Sequence, residues 1–294
     1  MSKRFRIPGR LATRLHELGV GASAVLQSAG LAPGLLDQPR IVVTTEELFA
    51  LWRGVGVNSP NPAIGLELGT ETKAEHFDPI ALAALSTASF GEAMEQMARY
   101  KQLSCPEEII HEMDDSEWSI QFRWLLADSV EPAVLTDLCF AWVLCIARHG
   151  TGTRISPLRL ELARQPTHAK IFERHFGCPI VFGAVRNAII FRSSDAALPF
   201  VTSNAELLAM LAPQFDEELK QHKGEESFLR GSGLRSRESL LGDGRRCRRS
   251  RANCTSARAR CSDGCRMRGI AFSRFLRRLG ISWRGTILIT LCLS

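Results

Sequence analysis

The sequence predicts an α+β protein, an antiparallel sheet with packed helices in the N-terminal domain, followed by a C-terminal segment that is irregular or remnant helical. Three observations predict it. Trp118, Ile120, Phe122 and Trp124 alternate with Ser119, Gln121 and Arg123, the period of two that a half-buried strand needs. Thr44 with Glu47, Ser89 with Glu92 and Ser203 with Glu206 stand at capping-box spacing, each ahead of apolar residues at helical spacing. Strands and helices marked in this way follow one another until about Glu226, where periodicity and caps both stop.

In chain order, helices are expected over residues 9–18 and 21–29. The box at Thr44 opens a helix whose stripe is Leu48, Leu51, Trp52 and Val55. The one at Ser89 opens a second stripe of Phe90, Met94, Met97 and Ala98. Residues 107–113 face the Trp118–Trp124 strand across Asp114-Asp115-Ser116-Glu117, which predicts an antiparallel hairpin. Leu135, Leu138, Cys139, Trp142 and Ile146 share one face of a helix over 132–149. Leu158, Leu160 and Leu162 alternate as a strand, and a short helix follows at 168–176. Residues 176–191 hold two apolar stretches around a Gly-containing turn, with Arg186 and Asn187 at its exit, and predict a second hairpin. The box at Ser203 opens a last stripe of Leu207, Leu211 and Phe215.

Composition narrows the functional classes. A chain of 294 residues with 45% hydrophobic content supports a sizeable core in one large or two modest domains. No run of eighteen apolar residues occurs, so no membrane span is expected. Met-Ser-Lys-Arg-Phe-Arg-Ile-Pro carries basic residues with no apolar stretch behind them, so no signal peptide is expected and the cytoplasm is the expected compartment. The net charge of +6 divides into 22 Lys+Arg against 28 Asp+Glu over residues 1–230, and 15 Arg against 3 acidic residues over 231–294. An acidic sensing body with a nucleic-acid-binding tail fits this split, and so does a tail whose Arg-only usage reflects nucleotide composition. Cys105, Cys139, Cys145 and Cys178 sit among apolar residues, as buried thiols do. The tail cysteines Cys247, Cys254, Cys261, Cys265 and Cys292 match no common zinc spacing, so no metal is expected. No nucleophile elbow, phosphate loop or His-Glu-x-x-His motif occurs, which points away from an enzyme and from a cofactor.

The stretch Phe176-Gly177-Cys178-Pro179-Ile180-Val181-Phe182-Gly183 and its continuation Ala184-Val185-Arg186-Asn187-Ala188-Ile189-Ile190-Phe191 is the most specific wording in the chain. It resembles the closing hairpin of the effector-sensing domain in AraC/XylS-type transcription regulators with an arabinose-regulator-like N-terminal domain. The resemblance runs from about Pro8 to Gln221. It implies an effector-sensing and dimerisation domain over 8–221, an unidentified small-molecule effector, a possible homodimer, and promoter DNA as partner. In such regulators a DNA-binding domain of two helix-turn-helix motifs comes next. Here 73 residues follow Gln221 and do not read as that domain. Read one base earlier with high-GC codons, Asn253 to Arg266 becomes a string that resembles the family's first recognition region. Gly269 to Leu276 resembles the following turn in the present frame, and the stretch from Ile281 resembles the next helix when shifted. Residues 222–294 are therefore expected to be a degenerate remnant of the DNA-binding domain, with frameshifts in the gene or its sequencing garbling about 229–266 and about 280–294. Segment 245–266 has charge without an apolar stripe, so it should hold phosphates without reading sequence. A stand-alone effector-binding or dimerisation module is the alternative; a basic tail functional as written is a third reading.

Trp118, Trp124, Trp142, Arg123, His111 and Arg186 are conceivable pocket residues, with core or surface roles as the plainer reading. Arg186 and Asn187 suit neighbouring backbone groups at a turn. His76 near Asp78 is a weak metal pair. His168 and His175, seven apart, suit a surface as well as a ligand pair, and Cys178, ahead of a proline, reads as packed rather than nucleophilic.

Overall fold

The structure is a computed structural model that describes residues 5–39, 41–70, 77–104 and 106–238, with the backbone alone for 222–238. Contacts divide the chain into one unit of residues 1–72 and 76–228 and a second of 73–75 and 229–294. The expected remnant beyond Glu238, the tail cysteines and His76 lie outside the described residues.

The first unit begins with β1 (Phe5–Ile7), α1 (Leu11–Glu17), α2 (Ala22–Ser28), β2 (Ile41–Val43) and α3 (Thr45–Asn58). Next come α4 (Ile64–Gly69), α5 (Pro79–Leu85), α6 (Phe90–Ser104), β3 (Glu107–Met113), β4 (Glu117–Trp124) and α7 (Ala133–Thr151). The series closes with β5 (Arg159–Leu162), α8 (Ala169–Phe176), β6 (Ile180–Phe182), β7 (Ala188–Arg192) and α9 (Ala205–Glu238). Strands β1 and β2 pair antiparallel as a separate ribbon, and the other five form a sheet of order β3-β4-β7-β5-β6. The fold is α+β.

The expected β3–β4 hairpin forms, with Met113 opposite Trp118 and Glu107 opposite Trp124. Its turn closes because the Asp114 carboxylate accepts the backbone N–H groups of Ser116 and Glu117, both at 2.8 Å. The hairpin expected at 176–191 does not form. β6 and β7 do not pair: β5 lies between them, antiparallel to β7 and parallel to β6. The loop over 183–187 crosses the end of β5 and is tied to it, Gly183 N–H donating to Arg164 O at 2.9 Å and Ala184 N–H to Leu162 O at 3.1 Å. The parallel β5–β6 pair is closed by α8 as a crossover, so the sheet is mixed, with one parallel pair.

Capping departs from the sequence reading in two places. Thr44 and Glu47 make the full reciprocal box on α3. At α6 the Ser89 hydroxyl accepts Glu92 N–H, but the Glu92 carboxylate reaches one residue further, to Ala88 N–H. At α9 the cap is Asn204, not Ser203: its side-chain oxygen accepts Leu207 N–H at 2.9 Å. Asp78, considered as a metal ligand, caps α5 by accepting Ala81 N–H at 2.7 Å, with Pro79 in the first helical position. Helical backbone in α9 continues to Glu238, past the expected loss of order near Glu226, since extending a seated helix costs less than starting one.

Two apolar cores share α7. One lies under the five-stranded sheet, where Trp118, Ile120 and Phe191 meet Phe90, Met94 and Met97 of α6. The other lies between the β1–β2 ribbon and α1 to α3, around Leu15, Val25, Phe49 and Val55. α7 supplies Phe140, Leu144 and Ile146 to the first and Leu135 and Cys139 to the second. It is therefore buried nearly all round rather than along the single face expected. Among the described residues α7 is long and apolar enough to cross a membrane by length and composition, and most of it is buried inside this unit.

Candidate functional site

α7 and α4 approach closely because α4 presents Gly65 and Gly69 to it. A Cβ on Gly65 would stand 2.5 Å from Val134 O, and one on Gly69 would stand 2.3 Å from Leu138 O. This contact brings Thr70, the C-terminal cap of α4, beside the last two turns of α7. α8 follows β5 and carries His175 to the same place, with Phe172 and Phe176 anchoring the helix in the core.

A cavity of about 130 Å³ lies where the three helices meet. Ala141, Leu144 and Cys145 of α7 form its apolar wall. Thr70, Arg148, His149 and His175 complete it. Arg148 is half-buried and donates from Nε to Ile155 O at 3.1 Å and from Nη2 to Phe176 O at 3.4 Å. Its partners are carbonyls; among the described residues no carboxylate stands within ion-pair distance of it. Burial, and then the charge of Arg154, hold its pKa below the ordinary guanidinium value. His149 packs edge-on against Phe77 at 5.3 Å, and its Nδ1 stands 4.0 Å from Cys145 Sγ. Burial, followed by the nearby Arg148, pushes the His175 pKa down to about 4, so this imidazole is neutral at neutral pH. Arg148 is a cation among the described lining residues. Cys178, nearby in the chain, is pushed up to about 11 by burial and stays a thiol, in keeping with packing rather than nucleophilic chemistry.

The end of α7 is joined to the start of α9. Gly150 O accepts Val201 N–H at 2.6 Å, and the Phe200 ring lies so close over Gly150 that a Cβ there would meet it at 2.4 Å. Asn204 N–H then donates to Ser86 O at 3.0 Å as Asn204 caps α9. α9 is seated on α6 by Asp216, which accepts Tyr100 O–H at 2.7 Å and pairs with Arg99 at 2.8 Å. Burial first, and then this hydrogen bond, raise the Tyr100 pKa to about 12.

The six conceivable pocket residues are scattered, and none lines the cavity. Trp118 is core, edge-on to Phe90 at 4.9 Å. Trp124 packs against the other core, tilted on Phe5 and edge-on to Phe49, and donates its indole N–H to Glu131. Trp142 carries the Lys101 ammonium 5.6 Å from its ring centre. Arg123 pairs with Glu108 across the β3–β4 ladder, and His111 stands opposite Ile120 in the same ladder. Arg186 pairs with Glu112 at 3.2 Å and Glu161 at 3.4 Å, rather than with backbone groups. Asn187 does serve the backbone, accepting Ala163 N–H at 2.7 Å. Of the two histidines seven apart, His168 is exposed in a left-handed turn at the start of α8 and only His175 reaches the cavity. Thr70, Arg148 and His149 were not singled out by the sequence. Arg148 and His149 end a helix, where basic residues ordinarily complement the dipole, so their position gave no separate signal.

Residues 19–200 match the family described as the arabinose-binding domain of AraC transcription regulators, N-terminal. No curated protein matches the chain. Among solved structures, the transcriptional regulator CdpR from Pseudomonas aeruginosa is similar at 17% identity and a TM-score of 0.46, over 67% of this chain and 62% of that one. The chain thus spans less than two thirds of that protein's length. The family match covers well over half of the sequence, and the chain belongs to the AraC-type transcription regulators with an arabinose-binding-like N-terminal domain.

Proposed function

We propose that this chain is a transcription regulator controlled by a small molecule, in which the α7-end cavity receives the effector and residues 8–221 sense and dimerise. Residues 222–294 are a degenerate remnant of the DNA-binding domain, so promoter reading is impaired in this chain. The observation that carries the reading is the junction at Gly150: the residues next to the cavity wall are hydrogen-bonded and packed to the segment that starts α9, the helix that leads into the C-terminal part. An occupant that moves the last turn of α7 would move Phe200 and the Asn204 cap with it. The protein acts in the cytoplasm, with promoter DNA as the family's partner and no membrane.

The Arg-rich, unpatterned tail supports a narrower alternative, a stand-alone effector-binding or dimerisation module. Footprinting on the gene's own upstream DNA across a salt series separates the two from an intact regulator. Weak protection spread over all sequences and lost steeply with salt is expected. A discrete protected site would contradict impairment. Resequencing the locus tests the frameshift, which a clean single-frame match to the present tail would rule out.

A further inference from the structure

We propose that α9 is built as a hinge with a latch: it turns at Pro213, and the Asp216 carboxylate, held by Tyr100 and Arg99 of α6, keeps residues 214–221 on α6. The stretch before Pro213 is fixed at the start of the helix. Asn204 caps α9 by accepting Leu207 N–H at 2.9 Å and donates its own N–H to Ser86 O at 3.0 Å. The Thr202 hydroxyl donates to Leu85 O at 2.6 Å, and Leu211 is buried. Pro213 then lies inside the helix. A proline has no N–H to give to the carbonyl four residues back, here that of Ala209, and its ring crowds that carbonyl. An interior proline is therefore where a helix bends.

Past the proline the helix depends on what it rests against. Of residues 214–221 Phe215 alone is buried, its ring 5.2 Å from that of Tyr100. Next to it, Asp216 Oδ1 accepts the Tyr100 O–H at 2.7 Å and Arg99 Nη2 at 2.8 Å. The Arg99 guanidinium also lies over the Tyr100 ring, 5.4 Å from its centre. One carboxylate oxygen thus gathers a phenol and a cation from consecutive residues of α6. Hydrogen bonds to a charged acceptor are the stronger kind. Yet the Asp216 and Arg99 side chains are 35% and 56% exposed, so the latch opens without unpacking a core. With the latch closed, a displacement at the start of α9 is carried past Pro213; with it open, the displacement is absorbed there. None of these residues lines the α7-end cavity. The hinge therefore needs no occupant there, and its use in carrying a signal rests on the cavity being the effector site.

Amide hydrogen exchange on the full chain, with no ligand added, tests this in Asp216→Ala, Tyr100→Phe and Pro213→Ala. Alanine is the better helix former, so faster exchange in Asp216→Ala comes from the lost latch and not from lost helix propensity. Amides of 214–221 should exchange faster there by about tenfold or more, the scale of one hydrogen bond to a charged group, while those of 208–212 keep the parent rate. Tyr100→Phe keeps the ring against Phe215 and should shift the same residues in the same direction. Pro213→Ala restores the missing amide, and combined with Asp216→Ala it should abolish the contrast between the two stretches. Equal acceleration of 208–212 and 214–221 in Asp216→Ala overturns the hinge, as does a contrast that survives Pro213→Ala. Parent rates at 214–221 in both Asp216→Ala and Tyr100→Phe overturn the latch. These variants leave the cavity lining intact, so failure of the hinge or latch is distinguishable from failure of the effector site.

Discussion

Buried Asp137 and half-buried His175 make stability depend on pH in opposite directions. Asp137 on α7 is buried, and its carboxylate accepts from Arg164 Nη2 at 2.7 Å. Burial outweighs the attraction of Arg164 and raises its pKa from 3.8 to about 6. The folded chain holds this proton more tightly than the unfolded one, so the contribution is full below about pH 4 and is lost as pH climbs through 6. A shift of that size corresponds to about 3 kcal/mol. His175 behaves the other way: lowered from 6.5 to about 4, it stabilises fully above its unfolded value and loses that contribution as pH falls through 4. Urea unfolding across pH 4 to 6.5 should therefore separate two variants. Relative to the parent, Asp137→Asn should gain stability as pH rises and His175→Gln should lose it, while any constant packing loss drops out of the comparison. Parallel curves for both variants would mean that neither group titrates in this window.

At the scale of elements, the α4–α7 contact depends on the absence of side chains. Gly69→Ala would place a methyl 2.3 Å from Leu138 O and 2.8 Å from the Ala141 Cβ. Helix α4 would have to back away, with an expected loss of about 1–3 kcal/mol by denaturant unfolding. An effect within about 0.5 kcal/mol, as at an ordinary surface site, would show that the helices are free to separate. Elements were legible where the cause is local. The β4 strand, the Asp114 turn and the Thr44 box each involve neighbours in sequence and formed where expected. But β4 is not half-buried by period two: Ser119, expected on the outer face, is buried between Trp118 and Ile120. The β6–β7 pairing was not legible. Two apolar runs around a glycine fit a hairpin as well as two strands separated by β5, and the choice is made by contacts with residues 159–164. The Asp78-Pro79 start of α5 was present in the sequence as an N-cap signal, although Asp78 had been weighed only as a weak metal partner of His76.

For the unit of residues 1–72 and 76–228, α7 is the shared member: it contributes to both cores, borders the cavity and reaches the segment that opens α9. Sequence periodicity showed that 132–149 is a helix, yet burial on every side comes from two separate cores that one-dimensional spacing does not reveal. The cavity was hidden for a related reason. Its lining is drawn from three helices, and only His175 had been singled out beforehand as a potential ligand. The state of this cavity should be felt at the start of α9. Amide hydrogen exchange of the parent and of Cys145→Met, whose longer side chain stands in for an occupant, tests it most directly. Exchange should change at Arg148–Thr151 and also at Phe200–Leu208, with the β3–β4 turn at 114–117 unaffected. A change confined to the end of α7, with residues 200–208 identical in the two proteins, would contradict this coupling.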